Sequence, residues 1–314
     1  MIDLSFSSEQ QLNNDEQQQF WQAVTQAKLR QDNADIAYAF IRNPTTNKAI
    51  VISSGRVECY LKYKELMFNI YQQGYSVYIL DHRGQGLSSR SQKNNHQGHI
   101  DKFQTYIDDF HVFIKQIVQP QAHDALYLVG HSMGGTIGTL YMGQYPSTFN
   151  AAVFSAPMYG INLPMNKGFI RSLAKLLNTY TADKEPNYVI GGKNYNATSF
   201  ADNELTHSQN RYQASIALFE QNPQIQLGSP TNNWLLEAIT AADNATQVAA
   251  TSIKPILILQ ATEDTIVDNA AQDRAENNLC QLQRIHSSRH EIFMEVDEVR
   301  NQALTSMFAF LEQY

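Results

Sequence analysis

The fold of this chain is decided by the stretch 126–135, which reads Leu126-Tyr127-Leu128-Val129-Gly130-His131-Ser132-Met133-Gly134-Gly135. An apolar run typical of a strand leads into a serine between glycines, and a helical pattern follows. On a sharp strand-to-helix turn of this kind the serine hydroxyl is exposed at the carboxyl edge of a parallel sheet. The stretch therefore predicts a nucleophilic Ser132, with the backbone N–H of Met133 aimed at the reacting oxygen.

Strand and helix patterns alternate on both sides of this stretch. The predicted strands are Ile36–Arg42, Ala49–Ser53, Val77–Leu80, Leu126–Val129, Ala151–Phe154, Pro255–Leu259 and Leu282–Ile285. The predicted helices are Phe20–Leu29, Tyr63–Gln73, Tyr106–Val118, Gly135–Tyr145, a helix near Asn269–Cys280 and a last one that runs to Tyr314. Because continuous apolar strands separated by helices are buried on both faces, the pattern predicts an α/β fold with a doubly wound, mostly parallel sheet.

The alternation lapses between about Pro157 and Val248, where helices and loops are predicted. The simplest interpretation is a helical cap inserted into the sheet, with residues 1–157 and 249–314 as the core and 158–248 as the cap. Within the cap, the segment Gly168–Tyr180 is amphipathic, because its apolar residues gather on one side at 100° per residue. These residues are Phe169, Ile170, Leu173, Leu176, Leu177 and Tyr180. The opposite side carries Lys167, Arg171 and Lys175.

The composition excludes several classes of protein. With 314 residues and 43% hydrophobic residues the chain can bury a core, and a net charge of −7 without a basic block argues against nucleic-acid partners. The two cysteines, Cys59 and Cys280, are too few for a disulfide framework and are interpreted as packing residues. Neither a membrane span nor a signal peptide is predicted. We therefore expect a soluble cytoplasmic protein.

A serine hydroxyl needs a base, and the base needs an acid to orient it. In this architecture the chain order is serine, acid, histidine, and the histidines after Ser132 are His207, His286 and His290. We predict His290 as the base, because it lies in a loop after the last strand. His286 stands on the strand end itself and is interpreted as structural, while His207 lies in the insertion.

Three acids compete after the strand that ends near Leu259. We predict Asp264 as the acid, because the turn there should reach the histidine. Asp268 is interpreted as the cap of the next helix and Glu263 as a solvent-facing residue. No histidine or cysteine cluster has the spacing of metal ligands, so we expect neither metal nor cofactor.

A second donor to the reacting oxygen is expected from the loop after Ser53. This loop reads Ser54-Gly55-Arg56, and the predicted donor is the backbone N–H of Arg56. The side chain of Arg56 is given no role beyond that of a surface charge.

Three motifs together resemble the α/β-hydrolase superfamily, and within it the bacterial lysophospholipase and monoacylglycerol lipase group. They are Asp81-His82-Arg83-Gly84-Gln85-Gly86-Leu87-Ser88, Gly130-His131-Ser132-Met133-Gly134-Gly135 and His290-Glu291-Ile292. Further stretches are similar to the inner-membrane-associated lysophospholipases of Gram-negative bacteria, among them Ala156-Pro157-Met158-Tyr159-Gly160 and Leu205-Thr206-His207-Ser208 with Arg211. Where monoacylglycerol lipases carry His-Gly, this chain has Ser54-Gly55, which weakens assignment to that branch.

The resemblance implies a hydrolase that cleaves the fatty-acyl ester of lysophospholipids, with Ser132, Asp264 and His290 as the triad. It also implies a cap that forms the acyl pocket, to which we assign Met158 and Tyr159 as candidate substrate-binding residues. His207 and Arg211 lie one helical turn apart on the cap and are candidates to bind the head group; a structural hydrogen bond is the alternative. The alternatives are a monoacylglycerol lipase or broad carboxylesterase, and a non-catalytic binding protein of the same fold. The basic stripe of Lys167, Arg171 and Lys175 suggests peripheral contact with the inner membrane; a cap helix with its charges in water is the alternative.

Overall fold

The computed structural model of the chain describes residues 5–179 and 185–314, so Tyr180 lies outside the described residues. Within them, one sheet has eight strands. These are β1 Thr25–Gln31, β2 Ala34–Ile41, β3 Lys48–Ser53, β4 Ser76–Leu80, β5 Ala125–His131, β6 Ala151–Ser155, β7 Ile256–Ala261 and β8 Cys280–Ile285. The spatial order is β1-β2-β4-β3-β5-β6-β7-β8. Only the pairs β1–β2 and β2–β4 are antiparallel, which confirms the predicted fold class.

Helices cover the sheet and follow its strands in the order the sequence predicts. They are α1 Asp15–Ala23, α2 Lys64–Gln72, α3 Gln104–Phe113, α4 Met133–Gln144, α5 Lys167–Thr179, α6 Gln209–Gln221, α7 Asn232–Ala250, α8 Asn269–Asp273 and α9 Asp297–Leu311. The central strands β4, β6 and β7 are buried along their whole length, as expected of strands covered on both faces.

The predicted helix over Phe20–Leu29 is wrong beyond Ala23. The backbone turns extended at Val24, and the next residues form β1, which pairs antiparallel with β2 so that Leu29 lies opposite Ile36. Pairing with a neighbouring strand and burial of Leu29 therefore outweigh the local helical pattern. The helix predicted near Asn269–Cys280 is likewise shorter, because Cys280 begins β8 opposite Ile256 of β7.

The chain between β6 and β7 contains α5, α6 and α7. One of these helices belongs to the main core: Ala238, Ala241 and Ala245 of α7 are buried in the same apolar cluster as the sheet, and α7 packs against α4. The predicted boundary at residue 248 falls inside α7. The division into core and cap stays a prediction.

The length and polarity of the helices bear on membrane insertion. Across residues 5–179 and 185–314, no helix combines the length and the apolar character that a transmembrane span requires.

Candidate active site

Ser132 stands on the turn between β5 and α4 with φ of 50° and ψ of −119°, a strained backbone for a residue with a side chain. The turn is possible because the residues two positions before and two positions after Ser132 are glycines. A Cβ on Gly134 would lie 2.0 Å from the carbonyl oxygen of Ser53, and one on Gly130 would lie 2.9 Å from the Cα of Gly135. The packing of the turn against the end of β3 thus requires glycine.

The three residues predicted as a triad form one chain of hydrogen bonds. The Nε2 atom of His290 lies 2.9 Å from the Oγ atom of Ser132, and its Nδ1 atom lies 2.7 Å from Oδ2 of Asp264. Ser132 retains 7% exposure, whereas the Asp264 side chain is fully buried. This arrangement can pass the serine proton to the imidazole and stabilise the imidazolium that results.

Asp264 is held by its own loop, because its Oδ1 atom accepts the N–H groups of Ile266 at 2.8 Å and Val267 at 3.0 Å. Burial alone would raise the pKa of Asp264, but hydrogen bonds from His290 and from this loop outweigh burial and lower that pKa. Asp264 therefore stays ionised beside the histidine.

The residues that competed for these roles lie elsewhere. Asp268 caps α8 by accepting the N–H of Ala270, and His286 is exposed at the end of β8. Glu263 is exposed and lies 3.3 Å from Nε2 of His207.

The loop after β3 is fixed by two side chains that hold Gly55. The N–H of Gly55 donates to the Glu58 carboxylate at 2.5 Å, and the Gln85 amide donates to the Gly55 carbonyl at 2.6 Å. Since that carbonyl and the N–H of Arg56 belong to the same planar peptide, Gln85 fixes the direction of the proposed donor. At the other donor, Met133 begins α4, where N–H groups have no acceptor within the helix.

No role was predicted from the sequence for Gln85, which lies in the quoted motif after β4, or for Glu58, which lies just after the loop Ser54-Gly55-Arg56. The sequence could have pointed to both residues, because Glu58 is close to Gly55 and Gln85 lies in the glycine-rich turn after β4. Only the fold shows that Gln85 reaches back to the Gly55 carbonyl.

A buried ion pair network lies behind the triad. The ammonium of Lys62 lies 2.9 Å from Glu58 and 2.5 Å from Glu291, the residue that follows His290. Burial alone would raise the pKa of Glu58, but Lys62, His131 and a hydrogen bond from Tyr63 lower it to about 2. The loop that carries the proposed N–H donor and the loop that carries His290 are therefore joined by one cation.

Part of this network has the composition of a metal site. Potential ligand atoms of Glu58, His131 and Glu291 all lie within 4.8 Å of one another. Lys62 already supplies positive charge to both carboxylates, so these residues do not fit a cation in addition.

The Ser132 hydroxyl opens into a cavity of about 490 Å³. One part of the lining is apolar and includes Met158, Ile161, Leu205, Ile216, Phe219, Leu227, Ile266 and Val267. Another part is polar and includes Arg56, Lys193, Asn194, Gly228 and Ser229. A cavity with an apolar part and a polar part suits a substrate with one apolar chain and a polar head.

Of the four predicted substrate-binding residues, the structure brings only Met158 to this cavity. Tyr159 is buried and its hydroxyl bonds to Thr139 at 2.6 Å, while Arg211 is buried in ion pairs with Glu65 and Asp297. His207 is held 3.0 Å from Glu295. These three side chains have structural partners outside the cavity, and none of them is part of its lining.

The Arg56 side chain differs from the surface charge expected of it. It lines the cavity, with its Cζ atom 5.1 Å from the centre of the Trp234 ring.

The family profile Hydrolase_4, described as serine aminopeptidase S33, matches residues 44–297. The chain belongs to this family of α/β-hydrolases. It is 33% identical to lysophospholipase L2 of Escherichia coli (strain K12) over 309 residues, covering 94% of this chain and 89% of the relative. It is 34% identical to the probable lysophospholipase L2 of Haemophilus influenzae, covering 93% of both chains.

Among solved structures, the chain resembles a soluble variant of monoglyceride lipase from Saccharomyces cerevisiae in complex with a substrate analog. The TM-score is 0.71 at 19% identity, covering 92% of this chain and 96% of that one. At this identity the likeness supports the fold.

Proposed function

We propose that this chain is a carboxylic ester hydrolase that releases the fatty acid from lysophospholipids through an acyl-enzyme. The observation that carries the proposal is the hydrogen-bonded chain from Ser132 through His290 to Asp264 at the wall of a partly apolar cavity. The names of the two bacterial relatives support the lysophospholipid as substrate.

In the first half of the reaction the Ser132 Oγ atom attacks the ester carbonyl carbon while its proton passes to Nε2 of His290. The carbonyl oxygen becomes an oxyanion, which the N–H groups of Arg56 and Met133 stabilise. The bond to the glycerol oxygen then breaks, and His290 returns the proton to that oxygen. Asp264 keeps Nδ1 of His290 protonated and stabilises the imidazolium.

In the second half, water attacks the acyl-enzyme. His290 takes one proton of this water, the oxyanion forms again, and its collapse breaks the bond to Ser132. The proton returns to Oγ, and the fatty acid leaves.

The test is fatty-acid release from lysophosphatidylethanolamine and from the monoacylglycerol with the same acyl chain, with wild type and Ser132→Ala side by side. We expect faster turnover of the lysophospholipid, its loss in the variant, and covalent labelling of wild type alone by a fluorophosphonate. Activity on monoacylglycerol only would support the lipase alternative, and an unlabelled wild type would support a binding protein. The family description mentions an aminopeptidase, so an aminoacyl anilide is a further substrate to test. We expect the enzyme to leave it intact.

We propose further that α5 contacts the lipid surface. Its sequence suggested a basic stripe, yet Lys167 and Arg171 both lie against Asp243 of α7. The exposed apolar side chains are a stronger candidate, because Phe169 and Leu176 are 55% and 53% exposed and lie on one side of the helix.

Vesicle sedimentation separates the two surfaces. Phe169→Ser with Leu176→Ser should reduce binding to anionic vesicles more than Lys167→Glu, Arg171→Glu and Lys175→Glu combined. Unchanged binding in both variants would contradict lipid contact through α5.

A further inference from the structure

Arg56 has an unusual setting for a guanidinium. Its Cζ atom lies over the Trp234 ring, and its Nη2 atom donates to the Gly228 carbonyl at 2.5 Å. Its Nε atom is buried and finds no hydrogen-bond partner in the part of the chain that the structure describes. Arg56, Trp234 and Gly228 all line the cavity that contains Ser132.

Within residues 5–179 and 185–314, this guanidinium has no anionic partner. Across the described residues, no carboxylate lies within ion-pair distance of Arg56. Arg211 and Arg83 differ in this respect, since Arg211 pairs with Glu65 at 2.8 Å and Arg83 binds Asp109 through two nitrogens. Burial lowers the pKa of Arg56 to about 10, so the side chain remains charged at neutral pH.

The charge of the cavity lining also favours an anionic ligand beside Arg56. The carboxylate in its lining is that of Glu291, which Lys62 already neutralises. Lys193 adds a second cation to the polar wall, and its backbone N–H is tied to Ser229 at 3.0 Å. The polar wall therefore has a positive excess, although the whole chain carries a net charge of −7.

The reach of Arg56 matches the spacing of the substrate. The path of covalent bonds from the backbone nitrogen of Arg56 to its Cζ atom has the same number of bonds as the path from the acyl carbon of a lysophospholipid to its phosphorus. An ester whose carbonyl oxygen is bound by the Arg56 N–H can thus present its phosphate to the guanidinium of the same residue. Guanidinium groups bind phosphate through paired, charge-assisted hydrogen bonds.

We propose that Arg56, assisted by Lys193, binds the phosphodiester of the lysophospholipid head group and determines the preference for phospholipids over monoacylglycerols. This inference rests on the proposed function. It makes Arg56 a bifunctional position, with its backbone serving the oxyanion and its side chain serving specificity.

The test compares kcat/KM for lysophosphatidylethanolamine with kcat/KM for the monoacylglycerol of the same short acyl chain, below the concentration at which either forms micelles. In Arg56→Gln we expect the ratio of the two to fall about 10- to 100-fold, as the loss of charge-assisted hydrogen bonds predicts. The change should appear mainly in KM for the lysophospholipid. Arg56→Lys should recover part of the ratio, and Lys193→Gln should lower it less.

Arg90 provides the matched control. It donates to the Gln224 and Asn95 carbonyls, much as Arg56 donates to that of Gly228, but it does not line the cavity. Arg90→Gln should keep the wild-type ratio.

An unchanged ratio in Arg56→Gln, or an equal loss on both substrates, would overturn the inference and leave the proposed function standing. Wild type that hydrolyses only uncharged esters would overturn both.

Discussion

The Glu291 carboxylate lies 2.5 Å from the Lys62 ammonium, and the side chains of both residues are less than 10% exposed. Glu291 follows His290 in the chain, and Lys62 also binds Glu58, which holds the Gly55 N–H. The position of the proposed base and that of the proposed oxyanion loop therefore depend on the same ammonium group.

Replacing Lys62 by methionine should leave two buried carboxylates without a cation. Since breaking a buried ion pair from one side is costly, we expect a loss of about 3–5 kcal/mol in the free energy of unfolding and a lower kcat. Urea denaturation and ester hydrolysis measure the two effects. Adding Glu58→Gln and Glu291→Gln to Lys62→Met should restore much of the stability.

Lys64→Met is the control for that variant, because Lys64 is two residues further along the chain and lies over the Trp21 ring at 4.7 Å. It should cost no more than about 1 kcal/mol. Equal losses in Lys62→Met and Lys64→Met would argue against a special role for the buried network.

Asp264→Asn should lower kcat by about 10⁴-fold while the fold is retained, because an amide at this position no longer stabilises the required tautomer and charge of His290. Steady-state hydrolysis and circular dichroism report the two properties. Asp268→Asn is the matched control, because the same substitution there still leaves a residue that can cap α8. Comparable activity losses in the two variants would remove Asp264 from the mechanism.

Gly134→Ala should prevent correct folding of the turn at Ser132. The new methyl group would lie 2.0 Å from backbone oxygen, which cannot move without displacing β3. We expect a loss of more than about 4 kcal/mol or insoluble protein, measured by yield and thermal unfolding. Gly168→Ala, at an exposed position in the first turn of α5, should instead change the stability by no more than about 1 kcal/mol. A stable, active Gly134→Ala would contradict the described geometry.

The buried His82 should make the free energy of unfolding depend on pH. Burial lowers its pKa to about 3, so below the ordinary value of about 6.5 the unfolded chain binds a proton that the folded chain does not. The contribution of His82 to the free energy of unfolding is therefore fully present above pH 6.5 and is lost progressively as the pH falls toward 3.

In His82→Asn, the decrease in unfolding free energy between pH 7 and pH 5 should shrink by about 2 kcal/mol. The exposed His286→Asn should keep the wild-type decrease. A His82→Asn curve parallel to that of wild type would show that the imidazole is not held neutral in the fold.

The sequence predicted the features that depend on local pattern and chain order. Continuous apolar runs identified the central strands, and the order serine, acid, histidine selected residues that are joined by hydrogen bonds although Ser132 and His290 are far apart in the chain. It did not predict β1, because an edge strand such as Thr25–Gln31 is polar on its exposed side and gains its stability from pairing with β2.

The sequence also could not predict which side chains contact one another. The spacing of His207 and Arg211 suggested a head-group site, yet Arg211 is buried between Glu65 and Asp297, which the sequence separates by more than two hundred residues. Conversely, Arg56 was given no role for its side chain, because only the fold brings Trp234 and Gly228 against it.

The ion pairs of Arg211 also have a consequence for biosynthesis. Arg211 fixes α6 against Glu65 near the start of the chain and Asp297 near its end, and Ser208 at the start of α6 bonds to Glu9. During translation, Asp297 is synthesised long after α6 has left the ribosome. The ion pair that completes the enclosure of Arg211 can therefore form only after α9 has emerged, whereas the contacts of α6 with Glu9 and Glu65 are available earlier.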